Sequence, residues 1–514
     1  MPKTDPIPQW DANPPTSRHL AKGAGTALLA RAGAMIEVVS QPLYVWLFGL
    51  PTYGLYMVLW SAVNLVENIA DLGMTSALQR VIPQARSDAA RADALRNALL
   101  WSLSPCTVIA ILVSFFAPYI GQVINVSADD KPGLVTGIAV FAWALPLWAF
   151  LEVSTSALRA RKAFGPEIRL RILWEQVIRM IIATLLWACG VDTLGLLIAH
   201  ICSLAITCAF SVRLLSQYYD LRLVFTRPRE NGRGPVAVLL AGVSVLPSNI
   251  INRLFADAPP LILNVIIPGA AGASASGLFA IARKIASLIQ LVRMAFSYVM
   301  APLASETVGH DKRYVVEIYG FATRLSVLVA MPIVCVVIGG GKSILGLFGP
   351  GATAALWALM VLALARMIEA IFGQASSIQT VVSRYHHPLV GSLLGLLAAT
   401  IIGVILLPAA GINGMAIAVA TGVSISCIVP MVQLWWTEGI HPFHAPFIRT
   451  ALVTLSIGAV IVFTMAVSAV MPDPLHIALG IFLCPCGIWL AARTGLSASD
   501  KKALGKTARK LRLA

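Results

Sequence analysis

Residues 52–84 read TYGLYMVLWSAVNLVENIADLGMTSALQRVIPQ, and this stretch decides the fold. It is apolar enough to cross a bilayer, yet it carries Asn64, Glu67, Asn68 and Asp71 at helical spacing and exits through Arg80. A lone ionised side chain at the bilayer centre costs about 2.5–3.5 kcal/mol on insertion scales, so such acids face protein or water. Glu67 and Asp71 stand four apart and share a helix face, with Asn64 and Asn68 beside them. That face is expected to look into a cavity, and the rest of the chain reads as further spans built around it.

Composition sets the class. Apolar residues make up 58% of the chain and charged residues 12%, against roughly 45–50% and 25% in ordinary soluble proteins. Mean hydropathy is +0.82, and apolar windows of spanning length recur from Gly23 to Arg493. The pattern is that of an all-α polytopic membrane protein. The alternating segments of a β-barrel are absent. A net charge of +15 would suggest nucleic acid in a soluble protein; here its distribution reports topology, and no nucleic-acid partner is expected. The polar, Pro-rich N-terminal stretch lacks the basic start and apolar run of a cleavable signal and reads as a cytoplasmic tail. Most of the eight cysteines lie within apolar segments, where a free thiol packs as a small hydrophobe. The Cys484-Pro-Cys486 spacing is neither a zinc nor a redox motif.

Fourteen spans are expected, centred on 24–47, 53–78, 97–119, 135–157, 172–189, 193–212, 236–257, 275–300, 317–339, 355–378, 388–408, 413–436, 448–470 and 475–493. Lys and Arg crowd one set of alternate connections, from Arg80, Arg86, Arg91 and Arg96 to Lys501, Lys502, Lys506 and Arg509. The opposite set holds only Lys131 and Lys342. The positive-inside rule then places both termini in the cytoplasm.

Charged residues inside the spans are the candidate functional groups. Glu175 with Arg179, Arg253 with Asp257, and Arg366 with Glu369 stand at helical spacing and read as intramembrane pairs. Arg31, Arg283, Lys284 and Arg293 have no acid within one turn and are candidates for lining a polar cavity; Glu37 is a further acid within a span. A weak internal repeat aligns Tyr53-Gly-Leu-Tyr56 with Ser276-Gly-Leu-Phe-Ala280. Six spans separate the copies, an even number, so the halves are parallel repeats about an axis along the membrane normal. The expected organisation is a tail (1–22), a six-helix bundle (23–234), a second (235–437), two additional helices (438–493) and a basic tail (494–514). The seventh segment, from Pro235 to Pro268, is too long for one span. It reads either as a broken helix lining a cavity or as a helix followed by an interfacial stretch.

Three motifs are set aside. Gly339-Gly-Gly-Lys-Ser343 lacks the earlier glycine of a phosphate loop, that position being Val336, and reads as a loop. His386-His387 and His441-Pro-Phe-His444 lack Cys or Asp partners and read as solvated turn residues, so no metal site is expected. The tail KKALGKTARKLRLA reads as a topology-fixing segment or as one lying on anionic lipid.

The pattern LFGLPTYGLY at 47–56, followed by ADLGMTSALQRVIP at 70–83 and LFAIARKIASLIQLVRMAFSYVMAPLASE at 278–306, resembles the polysaccharide transporter (Wzx-type) branch of the multidrug/oligosaccharidyl-lipid/polysaccharide (MOP) exporter superfamily. The resemblance spans essentially the whole chain. It implies a MOP/MATE-like fold of about 14 transmembrane helices, two parallel-repeat six-helix bundles plus two C-terminal helices. It implies a flippase, not an enzyme, that moves undecaprenyl-diphosphate-linked oligosaccharides across the bacterial inner membrane for O-antigen, exopolysaccharide or capsule synthesis. Transport would proceed by alternating access, with no cofactor and with H+ or Na+ as the coupling ion. A polysaccharide polymerase and a chain-length regulator would be partners, beside the lipid-linked substrate and the bilayer. On this basis Arg31, Arg253, Arg283, Lys284 and Arg293 would hold the diphosphate or an acidic sugar. Glu37, Asn64, Glu67, Asn68, Asp71 and Asp257 would couple the ion or gate the cavity. A lipid II flippase and a multidrug–cation antiporter of the same superfamily are the alternatives.

Overall fold

The computed structural model describes residues 34–512 apart from 86, 162–169, 171–172, 226–234, 244–245, 308–311, 383–386, 505–507 and 510. Among the described residues there is no strand, and helices account for nearly everything. Hydrocarbon leaves a spanning backbone no partner but itself, so the chain closes its hydrogen bonds within each segment.

The first bundle contains α1 (Ala34–Phe48), α2 (Leu50–Ala70), α3 (Met74–Val81), α4 (Asp88–Ile120), α5 (Lys131–Phe141), α6 (Ala144–Ala160), α7 (Glu175–Ala188) and α8 (Thr193–Leu215). There follow α9 (Pro235–Val243), α10 (Leu246–Ile266), α11 (Gly269–Thr307), α12 (Lys312–Gly346), α13 (Leu356–Phe372), α14 (Gln374–Val382) and α15 (His387–Glu438). The additional spans are α16 (Ala445–Val467) and α17 (Asp473–Gly495), and α18 (Ala498–Leu504) opens the basic tail. Nine helices among the described residues are long and apolar enough to cross a membrane. Helix α2 is not one of these, because Asn64, Glu67 and Asn68 lower its hydropathy. Each expected span nevertheless coincides with a helix or helix pair, giving about fourteen. α15 is two helices broken at Gly411 (φ 51°, ψ −125°), which separates the expected spans 388–408 and 413–436.

Two expectations are corrected. The second span does not run unbroken to residue 78. It stops at Ala70, Leu72 and Gly73 take positive φ, and α3 begins at Met74. Gly73 is required there: a Cβ would stand 2.3 Å from the Gly242 carbonyl oxygen of α9. In the seventh segment, expected either as a broken helix or as a helix followed by an interfacial stretch, α9 ends at Val243 and α10 begins at Leu246, with 244–245 outside the described residues and Pro259-Pro260 within α10. The Gly339–Ser343 stretch is no loop but part of α12. Its glycines admit α16 and α13: a Cβ on Gly339 would lie 2.6 Å from Met465 Cβ, and one on Gly341 2.9 Å from a Leu356 methyl. Small residues at helix crossings give van der Waals contact where lipid supplies no hydrophobic drive.

One end of the bundle is rich in arginine, with Arg80, Arg161, Arg213 and Arg493 there; the far end carries the connections near 120–131, 189–193, 267–269 and 346–356. At the far end Asp130 accepts hydrogen bonds from Thr52 (2.9 Å), Thr193 (2.9 Å) and Ser127 (2.7 Å), tying α2 and α8 to the start of α5. The two halves meet chiefly where α2 packs along α10 and α11. Gly54 and Gly277, matched by the internal repeat, touch each other: a Cβ on Gly277 would be 3.1 Å from Gly54 Cα. Equivalent residues meet in this way at a two-fold axis. α9 instead packs on α3 and α4, with Val238 in the apolar cluster of Met74, Leu95 and Val153.

The additional spans lean on α12, and the tail is fastened there too. Asp500, 3% exposed, accepts from Arg324 Nε (3.0 Å) and Nη2 (2.5 Å) and from Ser497 Oγ (2.7 Å). Removing one partner of a buried ion pair strands the other and costs about 3–5 kcal/mol. Arg324→Ala is therefore expected to free the tail, read as faster proteolysis after Gly495 and a lower unfolding temperature in detergent. An unchanged cleavage rate would refute the anchor.

Candidate functional site

The second half carries the cations. α10 and α11 run side by side, and α10 brings Asp257 between Arg253 on its own helix (3.7 Å) and Arg283 on α11 (3.9 Å). Lys284 adds a third positive charge within electrostatic reach of Asp257. Asp257 is 3% exposed, and its Oδ2 makes no hydrogen bond. Both guanidinium distances exceed hydrogen-bond length, so the carboxylate offsets charge without occupying these donors. Three cations thus act on one carboxylate. Lys284 stands two turns beyond Gly277 on the same face of α11, which is the face turned to α2 at the inter-bundle contact.

Further along α11, Arg293 meets Glu369 of α13 at 2.7 Å, and Arg366 meets the same carboxylate at 2.6 Å. Gln290 donates to it at 3.2 Å. Arg293, read from sequence as lacking an acid, thus shares one with Arg366. The acid was invisible at helical spacing because it comes from another helix.

The first half carries the acids. Glu67 and Asp71 are each 3% exposed. They lie inside the first bundle, within electrostatic reach of Cys106 on α4, instead of on an open face. Glu152 of α6 also acts on Asp71, a neighbour that spacing along one helix could not reveal. Near the start of α3, whose N-cap is Gly73, Asp71 Oδ2 accepts from the Thr75 amide (3.2 Å) and hydroxyl (3.1 Å). The bond satisfies one of the free amides in the first turn of α3. Asn64 donates to the Trp60 carbonyl (3.1 Å), and Asn68 Oδ1 is buried without a hydrogen-bond partner. Arg31 lies outside the described residues. Glu37 falls within α1, but its side chain is not described.

Glu175 and Arg179 form the expected pair inside the first bundle, and the pair extends. Arg179 donates to the Tyr56 hydroxyl (3.2 Å), which lies 3.0 Å from His200 Nδ1. His200 is fully buried with its ring 4.2 Å from that of Trp60. A single histidine in an apolar span carried no signal in the sequence. Among the described residues no group of three His, Cys, Asp or Glu could hold a metal. His441 and His444 lie side by side in the turn before α16, ring centroids 4.5 Å apart and tilted by 35°. Burial, then the neighbouring His444, lower the His441 pKa below the usual imidazole range.

The family described as "Polysaccharide biosynthesis protein" matches residues 47–348. No curated protein sequence matches the chain. Among solved structures, a lipid II flippase MurJ in an inward closed conformation is similar at TM-score 0.65 and 13% identity, covering 91% of this chain and 97% of its own. An inward-facing MATE-family multidrug resistance transporter of the MOP superfamily gives 0.64 and 16%, covering 82% and 97%. A Vibrio cholerae MATE transporter gives 0.59 and 14%, covering 82% and 98%. These likenesses establish the fold, and the solved neighbours are themselves a flippase and multidrug transporters. The chain is a multi-pass membrane protein with the MOP fold and belongs to the polysaccharide biosynthesis protein family.

Proposed function

We propose that this protein is a flippase for undecaprenyl-diphosphate-linked oligosaccharide, carrying repeat units for surface polysaccharide from the cytoplasmic to the outer leaflet of a bacterial inner membrane. The observation that carries this reading is the cluster of Arg253, Arg283 and Lys284 around the carboxylate of Asp257. A diphosphate cannot cross hydrocarbon unaided, and guanidinium groups bind its oxygens through charge-assisted, bidentate hydrogen bonds. Two guanidinium groups and an ammonium gathered at one place suit that headgroup, whereas a carrier of cationic drugs would need the opposite sign. Arg293 and Arg366 extend the positive track along the second bundle for an acidic sugar.

The arginine-rich end is the cytoplasmic one on this reading, by the positive-inside rule. Glu67, Asp71 and Glu152 form the group through which H+ or Na+ would drive the cycle, since buried acids within spans serve as ion relays. Polymerase and chain-length regulator partners follow from the same reading.

Purified protein should bind undecaprenyl diphosphate far more tightly than undecaprenyl monophosphate, with inorganic pyrophosphate competing. Saturable binding of a cationic dye with no response to diphosphate would overturn the proposal; binding restricted to lipid II would redirect it to peptidoglycan. Asp257→Asn should raise diphosphate affinity by roughly tenfold, the effect of about 1.4 kcal/mol, because it removes a competing charge without taking a donor. Weaker binding by Asp257→Asn would show that the carboxylate instead positions the two arginines.

A further inference from the structure

At the far end of the bundle, away from the arginine-rich face, the two halves are joined by hydrogen bonds. Asn125, in the connection after α4, faces Asn264 at the end of α10. The Asn125 amide donates to Asn264 Oδ1 (3.0 Å) and its Nδ2 to the Asn264 carbonyl (2.8 Å). Asn264 Nδ2 donates back to the Asn125 carbonyl (2.7 Å), and the Gly269 amide donates to Asn125 Oδ1 (3.0 Å). All four polar groups of Asn125 are thereby engaged across the junction, and Asn264 is fully buried. On the other side of the junction Trp46, near the end of α1, donates its indole N–H to the Leu347 carbonyl (2.6 Å).

These two sets of bonds are counterparts. The register that pairs Gly54 with Gly277 also pairs Trp46 with Gly269, and Asn125 with Phe348, the neighbour of Leu347. In each case the segment before the glycine helix reaches the connection that follows the third span of the other half. The Gly54–Gly277 contact lies between them. The two sides differ in strength: one has a four-bond amide clasp closed on the buried Asn264, the other a single bond from an indole that is 66% exposed.

We propose that these paired contacts are the outer gate of the transporter: two unequal latches that hold the halves closed toward the outside and must both part to release cargo. The direction of opening rests on the flippase reading above; the latches themselves rest on geometry. The Asn125–Asn264 clasp is the dominant latch, and Trp46–Leu347 the weaker one that yields first.

Asn125→Cys with Asn264→Cys, in membranes, should form a disulfide or a short thiol-reagent bridge, identified by peptide mass against the native cysteines. Bridged protein should stop moving lipid-linked oligosaccharide, and reductant should restore it. Failure to bridge, or transport by bridged protein, overturns the gate. Spin-label distances between the halves at this end supply a cargo-independent readout. Asn125→Ala should shift the open-to-closed ratio about tenfold, given the two side-chain hydrogen bonds of modest net strength that it removes, and Trp46→Phe by clearly less. An equal or larger effect of Trp46→Phe would overturn the ranking of the latches. Should the distances shift as described while unbridged protein moves no lipid-linked oligosaccharide, the gate stands and the cargo assignment falls.

Discussion

Replacing Arg283 and Lys284 together by glutamine is expected to abolish transport while leaving the protein in the membrane at near-normal amount. Each hydrogen bond to a charged group contributes about 1.5–3 kcal/mol. Losing two such partners for a diphosphate therefore weakens binding by roughly 10²–10⁴-fold, at tenfold per 1.4 kcal/mol. The structural cost is smaller, because Arg283 stands 3.9 Å from Asp257 and Arg253 remains beside that acid. Diphosphate-lipid binding and export are the readouts, with protein level as the control. Lysine at 283 should restore only part of the affinity, since an ammonium cannot replace the planar fork of a guanidinium. Full activity of the double glutamine variant would remove this cluster from the substrate path.

Gly54→Ala is the second large effect. A Cβ there would sit 1.9 Å from the Ala273 carbonyl oxygen and 2.6 Å from its carbon. Both are backbone atoms, so no side-chain rotation relieves the clash and α2 must move away from α11. The far end cannot then close, the Asn125–Asn264 clasp is pulled apart, and cycling should fall by at least tenfold, the equivalent of about 1.4 kcal/mol in the closed state. Gly277→Ala should be milder, since its Cβ would meet Gly54 Cα at 3.1 Å. Inter-bundle distance distributions and transport rates check the order. Equal behaviour of the two variants would mean that the α2–α11 contact is not the closing surface.

Much of the architecture was legible because lipid imposes strong rules on sequence. Hydropathy located about fourteen spans, and the faint match of Tyr53-Gly-Leu-Tyr with Ser276-Gly-Leu-Phe exposed a repeat whose glycines meet in space. Spacing along one helix also found the Glu175–Arg179 and Arg366–Glu369 bridges. Partners contributed by another helix left no local trace: Arg293 with Glu369, Arg324 with Asp500, Glu152 beside Asp71, and the Asn125–Asn264 clasp. Gly73 and the glycines at 339–341 misled for a related reason. Glycine in a spanning helix marks either a break or the close approach of a neighbour, and only the neighbour's position distinguishes the two. The acids at 67 and 71 drew attention as polar groups in an apolar span. Their surroundings, a helix start and a thiol, belong to the interior of the first bundle.

The most direct measurement is a deletion of the gene in its host with analysis of lipid-linked glycans on each face of the inner membrane. The expected result is loss of one surface polymer, with its undecaprenyl-diphosphate-linked repeat unit accumulating on the cytoplasmic face. Complementation by the wild-type chain should restore the polymer, and the Arg283→Gln, Lys284→Gln variant should not. Normal surface polysaccharide with heightened sensitivity to cationic drugs would contradict the assignment, as would lethality with lipid II accumulation.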